Sequence, residues 1–87
     1  VALDQNVLGD VLRLLDDVLG LAGRARSFTP ETPLLGALPE LDSMAVVGLL
    51  TALEERFGIS IADDEIDGGV FASVGSFTRF VQGKLEA

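Results

Sequence analysis

Apolar residues between Leu3 and Leu21 recur at steps of three and four: Val7, Leu8, Val11, Leu12, Leu15, Val18 and Leu19. Asp10, Arg13, Asp16 and Asp17 fall largely on the opposite face, so the spacing predicts one amphipathic helix. Asp4 suits its cap, and Gly20 or Gly23 its stop. Gly9 lowers the propensity of this segment by about 1 kcal/mol relative to alanine, so packing is expected to hold that turn. A second stripe, Val46, Leu49, Leu50, Leu53 and Phe57, predicts a helix over Ser43 to Phe57, ended by a left-handed Gly58. Met44, Val47, Gly48, Thr51, Glu54 and Glu55 fall towards its other side. Met44 and Val47 are thus expected as partly exposed apolar neighbours one turn apart. A last helix is predicted from Ser76 to Leu85, with Phe77, Phe80 and Val81 inward and Val74 as a staple.

The segments between these helices differ in character. From Arg24 to Asp42, Pro30, Pro33 and Pro39, with Thr29, Thr32 and Gly36, forbid a continuous helix. The same stretch carries Phe28, Leu34, Leu35, Leu38 and Leu41, too apolar for a solvated linker, and is expected to lie over the bundle. A connection this long without secondary structure of its own is usually functional. Ile59-Ser60-Ile61 alternates but has no partner strand, so an extended connector is expected. Asp63 to Val70 holds at most a short helix, cut off by Gly68-Gly69. The fold class expected is therefore all-α: a small four-helix bundle, three main helices plus one short helix, with a long first loop. Its 87 residues form a single domain, 1–87, with one modest core.

Composition narrows the function. Six basic against fourteen acidic residues give a net charge of −8, which disfavours nucleic acid and anionic membranes and favours partners with basic surfaces. No apolar run approaches the length of a membrane span, and no basic-then-apolar leader is present, so a cytoplasmic location is expected. Cysteine and histidine are both absent, which removes disulfides, thiolate nucleophiles, the commonest metal ligands and the commonest general base. Lys84 is the single lysine and lies near the C-terminus, so this chain is not expected to be an enzyme. Asp63, Glu65 and Asp67 followed by Gly68 resemble the first half of a calcium loop. The twelfth position, where a bidentate glutamate is required, is Val74, so no metal site is expected. Met44 and Val47 form too small a patch to argue for an oligomer, and a monomer is expected.

One constellation carries candidate chemistry. Leu41-Asp42-Ser43-Met44 places a serine hydroxyl, directly after an acid, at the start of the second predicted helix. A helix N-terminus presents unpaired N–H groups and the positive end of the dipole, which suits a phosphate-bearing group. Ser43 thus reads as an attachment point for a phosphate-linked prosthetic group, or, more simply, Ser43 or Asp42 caps the helix.

The order of elements, the charge and the serine together resemble the acyl carrier protein family. The likeness is residue-specific at Leu41-Asp42-Ser43-Met44 and continues through Leu49, Leu50, Ala52, Leu53, Glu54, Glu55 and Phe57. Phe57-Gly58-Ile59-Ser60-Ile61, Ala62-Asp63-Asp64-Glu65 and Ser73-Val74-Gly75-Ser76-Phe77 resemble the family's later stretches. This implies a phosphopantetheinyl transferase that moves 4'-phosphopantetheine from coenzyme A to Ser43, with Asp42 orienting the transferase or the arm. The arm's thiol would carry an acyl group as a thioester to partner enzymes. Glu40, Leu41, Met44, Val47, Thr51, Glu54 and Glu55 would form the partner surface, serving an acyl-loading ligase and acyl-transferring enzymes with basic surfaces.

Pro39-Glu40-Leu41 stands where fatty-acid carriers commonly have glycine and alanine, and Ala45 and Gly48 replace frequent acids. Gly68-Gly69 lies in a segment about two residues longer than usual. These departures imply a specialised rather than a primary fatty-acid pathway. The Leu-Pro-Glu-Leu-Asp-Ser-Met string is similar to stand-alone carriers of exosortase and exopolysaccharide gene clusters. The rivals are a peptidyl or aminoacyl carrier, which more often has His-Ser or Gly-Ser at this point, and a helical adaptor that carries nothing. In the adaptor, Ser43 is only a cap, and its loss costs about 1 kcal/mol.

Overall fold

The computed structural model describes residues 3–86, apart from the side chain of Asp63. Three α-helices, α1 (Gln5–Leu19), α2 (Ser43–Phe57) and α3 (Val74–Glu86), are joined by segments containing two short 3-10 helices, Arg24–Ser27 and Asp63–Glu65. The bundle is as expected, except that its short helix is this second 3-10 turn. α1 packs against both α2 and α3 and supplies the centre of the core.

α1 begins where the Asp4 carboxylate accepts the amides of Asn6 at 2.8 Å and Val7 at 3.4 Å. It ends at Gly20, whose φ of 64° no longer continues the helix. It is thus two residues shorter at each end than the periodicity predicts. Its buried face is Leu8, Val11, Leu14, Leu15 and Leu19. Leu14, absent from the sequence stripe, is fully buried, whereas Val7, Leu12 and Val18 are only half-buried. The core face is rotated accordingly. The turn that holds Gly9 is held by packing as expected, through the buried Leu8 and Val11, although a Cβ at Gly9 itself would meet nothing within 4 Å.

The first loop has structure of its own, contrary to expectation. Its start is organised by Asp16, whose carboxylate accepts the amides of Gly23 at 3.1 Å and Ala25 at 3.3 Å. This holds a reversal in which Ala22, with φ 54°, adopts a backbone that alanine rarely takes. Further on, the loop lies antiparallel to the entry of α3. Pro30 O accepts from Gly75 at 2.8 Å, Thr32 O from Val74 at 2.9 Å, and the Leu34 and Leu35 amides donate to Ala72 and Phe71 carbonyls. A single bridge, Pro33 with Ser73, marks the pairing. Leu34 and Leu41 are buried as expected and Phe28 and Leu38 partly so, but Leu35 is 50% exposed.

α2 has the bounds the sequence predicts and ends at Gly58 with φ 65°. Only Leu49 and Leu53 of its stripe are fully buried, with Val46, Leu50 and Phe57 packed at the margin. Gly48 is half-buried rather than on the outer side, and a Cβ there would touch Val18 of α1 at 3.6 Å. α3 begins two residues earlier than predicted. Val74, expected as a staple outside the helix, is its first residue and is fully buried. Phe77 lies against Phe71 with ring centroids 5.3 Å apart, and the buried Thr78 hydroxyl donates back to Val74 O at 2.8 Å. Lys84 is not a free base: its ammonium donates to both Glu65 carboxylate oxygens, at 2.7 and 3.0 Å, tying the second 3-10 turn to α3.

Candidate functional site at the start of the second helix

Three consecutive residues are fixed in three different ways as the chain enters α2. The Glu40 carboxylate pairs with the Arg24 guanidinium. Leu41 is 6% exposed and inserts into the core, its amide donating to Leu38 O at 3.0 Å. Asp42 is the N-cap, with φ −109° and ψ −176°. Its Oδ1 accepts the Ala45 amide at 2.8 Å, and its backbone oxygen accepts the Val46 amide at 3.0 Å.

Ser43 follows as the first helical residue, exposed to solvent. Asp42 performs the capping, so the Ser43 hydroxyl has no structural duty at the helix end. As a first-turn residue, Ser43 has an amide with no acceptor inside the helix, and the same holds for Met44. An anion attached at the Ser43 oxygen is therefore favoured by free N–H donors and by the helix dipole. In this environment the residues present fit a phosphate-linked group.

The outward face of α2 runs from apolar to acidic. Met44 is 79% and Val47 60% exposed, and Thr51, Glu54 and Glu55 continue the exposed face. Two of these side chains are also used internally. The Thr51 hydroxyl donates to Val47 O at 3.1 Å, and the Glu54 carboxylate accepts the Ile61 amide at 2.8 Å, holding the connector after α2. Arg56 reaches across to Asp17 of α1 at 2.7 Å. Of the residues expected on the partner surface, Leu41 is therefore a correction, since it lies in the core. Glu40 is not a free acid either: the hydrogen bond from Arg24, then its own backbone amide, hold its carboxyl below the ordinary 4.5.

Neither the Arg24–Glu40 pair nor the docking of the loop on α3 is visible in local sequence patterns. An open groove of about 480 Å³ lies between α1 and the first 3-10 helix, lined in part by Gly9, Leu12, Arg13 and Arg26, and Ser43 does not line it. Among the described residues, no three acids, cysteines or histidines are grouped so as to hold a metal ion.

Fold and site together define a small helical domain that presents an exposed serine directly after the capping residue of its second helix. Comparison with known proteins agrees. The model of the family described as "Phosphopantetheine attachment site" matches residues 9–81. The acyl carrier protein of Thermobifida fusca is 27% identical over 63 residues, covering 72% of this chain and 76% of that protein. The solution structure of a holo acyl carrier protein from Nitrosomonas europaea superposes with a TM-score of 0.86 at 49% identity, covering 92% of this chain and 96% of that one.

The chain belongs to the phosphopantetheine-attachment family, as an acyl carrier protein. It is a carrier and not an enzyme, and its cofactor is covalent phosphopantetheine. No helix among the described residues is long and apolar enough to cross a membrane.

Proposed function

We propose that Ser43 is the attachment residue and that the exposed face of α2 presents the loaded arm to partner enzymes. The observation that carries this reading is the division of labour at the helix start: Asp42 caps, and Ser43 is exposed and free to react. In loading, the Ser43 oxygen bonds to the phosphorus bearing the pantetheine of coenzyme A and loses its proton. The pyrophosphate P–O bond breaks, and adenosine 3',5'-bisphosphate leaves. A phosphopantetheinyl transferase supplies the base and the positive charge this step needs, since the chain has no histidine and its lysine is paired. Asp42 orients the transferase from beside the reacting hydroxyl. When attached, the arm supplies a terminal thiol on which an acyl group travels as a thioester, so a cysteine-free chain takes part in thiol chemistry.

Met44 and Val47 form the apolar centre of the partner surface, with Glu54 and Glu55 as acidic rim and Thr51 between them. Partners with basic surfaces fit it: the transferase, an acyl-loading ligase and acyl-transferring enzymes. Ala45 and Gly48 thin the acids along α2, which supports service in a specialised pathway, such as that of the carriers associated with exosortase and exopolysaccharide clusters. Peptide mapping of protein loaded by a broad-specificity transferase tests the attachment: the added mass is expected on the peptide containing Ser43, and its presence on any other peptide contradicts the assignment.

A further inference from the structure

Arg24 and Glu40 are the two ends of a tether across the first loop. Arg24 opens the 3-10 helix Arg24–Ser27, and its position is fixed at two points: Nε donates to Leu21 O at 3.2 Å, and the Arg24 amide donates to the same carbonyl at 3.1 Å. Leu21 itself is fully buried. The terminal nitrogen of the same guanidinium pairs with Glu40, three residues ahead of Ser43. Leu41, between Glu40 and the cap Asp42, is anchored in the core. The outer flank of the α2 entry is thus bound through Arg24 to the turn that follows α1.

We propose that Arg24 is a positioning residue for the attachment step, acting through Glu40 to hold the Leu41-Asp42-Ser43 entry in the form a transferase accepts. The inference rests on the assignment of Ser43 as attachment residue. It also changes the role of Glu40, from an acid that docks partners to a strut that Arg24 neutralises. The two roles predict opposite responses to loss of Arg24. If Glu40 docks basic partners directly, Arg24→Ala frees its carboxylate, adds net negative charge and leaves loading equal or faster. If Glu40 is a strut, the same change lets the entry sample other conformations, and only the competent fraction binds the transferase.

The test measures loading of apo protein by coenzyme A and a broad-specificity transferase for wild type, Arg24→Ala, Arg24→Lys, Glu40→Gln and the charge swap Arg24→Glu/Glu40→Arg. Melting curves confirm that each variant is folded. Arg24→Ala and Glu40→Gln are each expected to raise KM about two- to fivefold, the range an exposed ion pair can supply, with kcat little changed. Arg24→Lys and the swap, which keep an ion pair between the two positions but lose the Nε donor to Leu21 O, are expected to recover part of the loss.

A second readout does not depend on loading. Amide hydrogen exchange at Leu41 and Ala45 is expected to speed up in Arg24→Ala and Glu40→Gln and to return towards wild type in the swap. Equal or faster loading in Arg24→Ala, or unchanged exchange at Leu41 and Ala45, overturns the proposal. Wild-type protein that takes no arm, or takes it in Ser43→Ala, overturns the attachment assignment instead, and the exchange data then still decide whether the tether holds the entry.

Discussion

Asp42 relieves Ser43 of capping: its carboxylate accepts the Ala45 amide at 2.8 Å, while the neighbouring hydroxyl stays in solvent. The two adjacent residues therefore respond differently to truncation. Asp42→Ala is expected to cost about 1 kcal/mol of stability, within the range for lost caps. Ser43→Ala is expected to stay within about 0.5 kcal/mol of wild type. Urea denaturation of both variants checks this, and a loss in Ser43→Ala matching that in Asp42→Ala returns the cap to Ser43.

At Gly75 the first loop meets the first turn of α3. The Gly75 amide donates to Pro30 O at 2.8 Å, and a Cβ at this position would sit 2.9 Å from the same oxygen, a backbone atom with little room to move. Gly75→Ala is expected to destabilise the fold by about 1–3 kcal/mol, despite alanine's better helix propensity. Thermal melts check it, and an unchanged or raised Tm shows that the loop does not press on α3 in this way.

Gly9 predicts the opposite sign. It lies inside α1, and a Cβ added there would meet nothing within 4 Å, so no contact opposes the gain in propensity. Gly9→Ala is expected to stabilise by up to about 1 kcal/mol. A destabilised variant in the same melts shows that something occupies this face of α1.

The Glu65 carboxyl is held below its ordinary 4.5, first by the Ala62 amide at 2.8 Å and then by Lys84. A depressed folded-state value means the carboxylate stabilises above the ordinary value, and this contribution is lost as pH falls from 4.5 through the depressed one. Glu65→Gln is expected to lower Tm near neutral pH. The gap to wild type should then narrow as the medium is acidified below the ordinary 4.5. A gap that is constant with pH assigns the effect to something other than this ionisation.

Met44 and Val47 test the outer face of α2 apart from folding. Both are exposed, so Met44→Glu or Val47→Glu is expected to leave stability within about 0.5 kcal/mol. Each is expected to raise the KM of a transferase for the carrier by about tenfold. Unchanged loading kinetics in both variants move the docking surface elsewhere.

The parts of this molecule legible in the sequence are those coded over short spans. α2 is one: a cap residue, a 3.6-residue stripe and a terminal glycine lie within the segment itself, so its bounds and the exposure of Met44 and Val47 follow directly. The Leu41-Asp42-Ser43-Met44 string, proposed for attachment, is legible for the same reason. Contacts made between distant segments are not. The hydrogen bonds from residues 30–35 to 71–75 involve main-chain atoms, which any sequence supplies, and the Arg24–Glu40 pair joins two ordinary surface residues sixteen positions apart. Leu35 and Leu41 illustrate the limit. Both are leucines in one loop, yet one is half exposed and the other buried, because only the docked path of the chain decides which faces the core.

That Ser43 carries the arm is tested most directly by the intact mass of wild type and Ser43→Ala, before and after incubation with coenzyme A and a broad-specificity phosphopantetheinyl transferase. Wild type is expected to gain the mass of one phosphopantetheine, and the variant, folded to the same Tm, to gain none. A gain in Ser43→Ala, or none in folded wild type shown to be unmodified at the outset, contradicts the assignment.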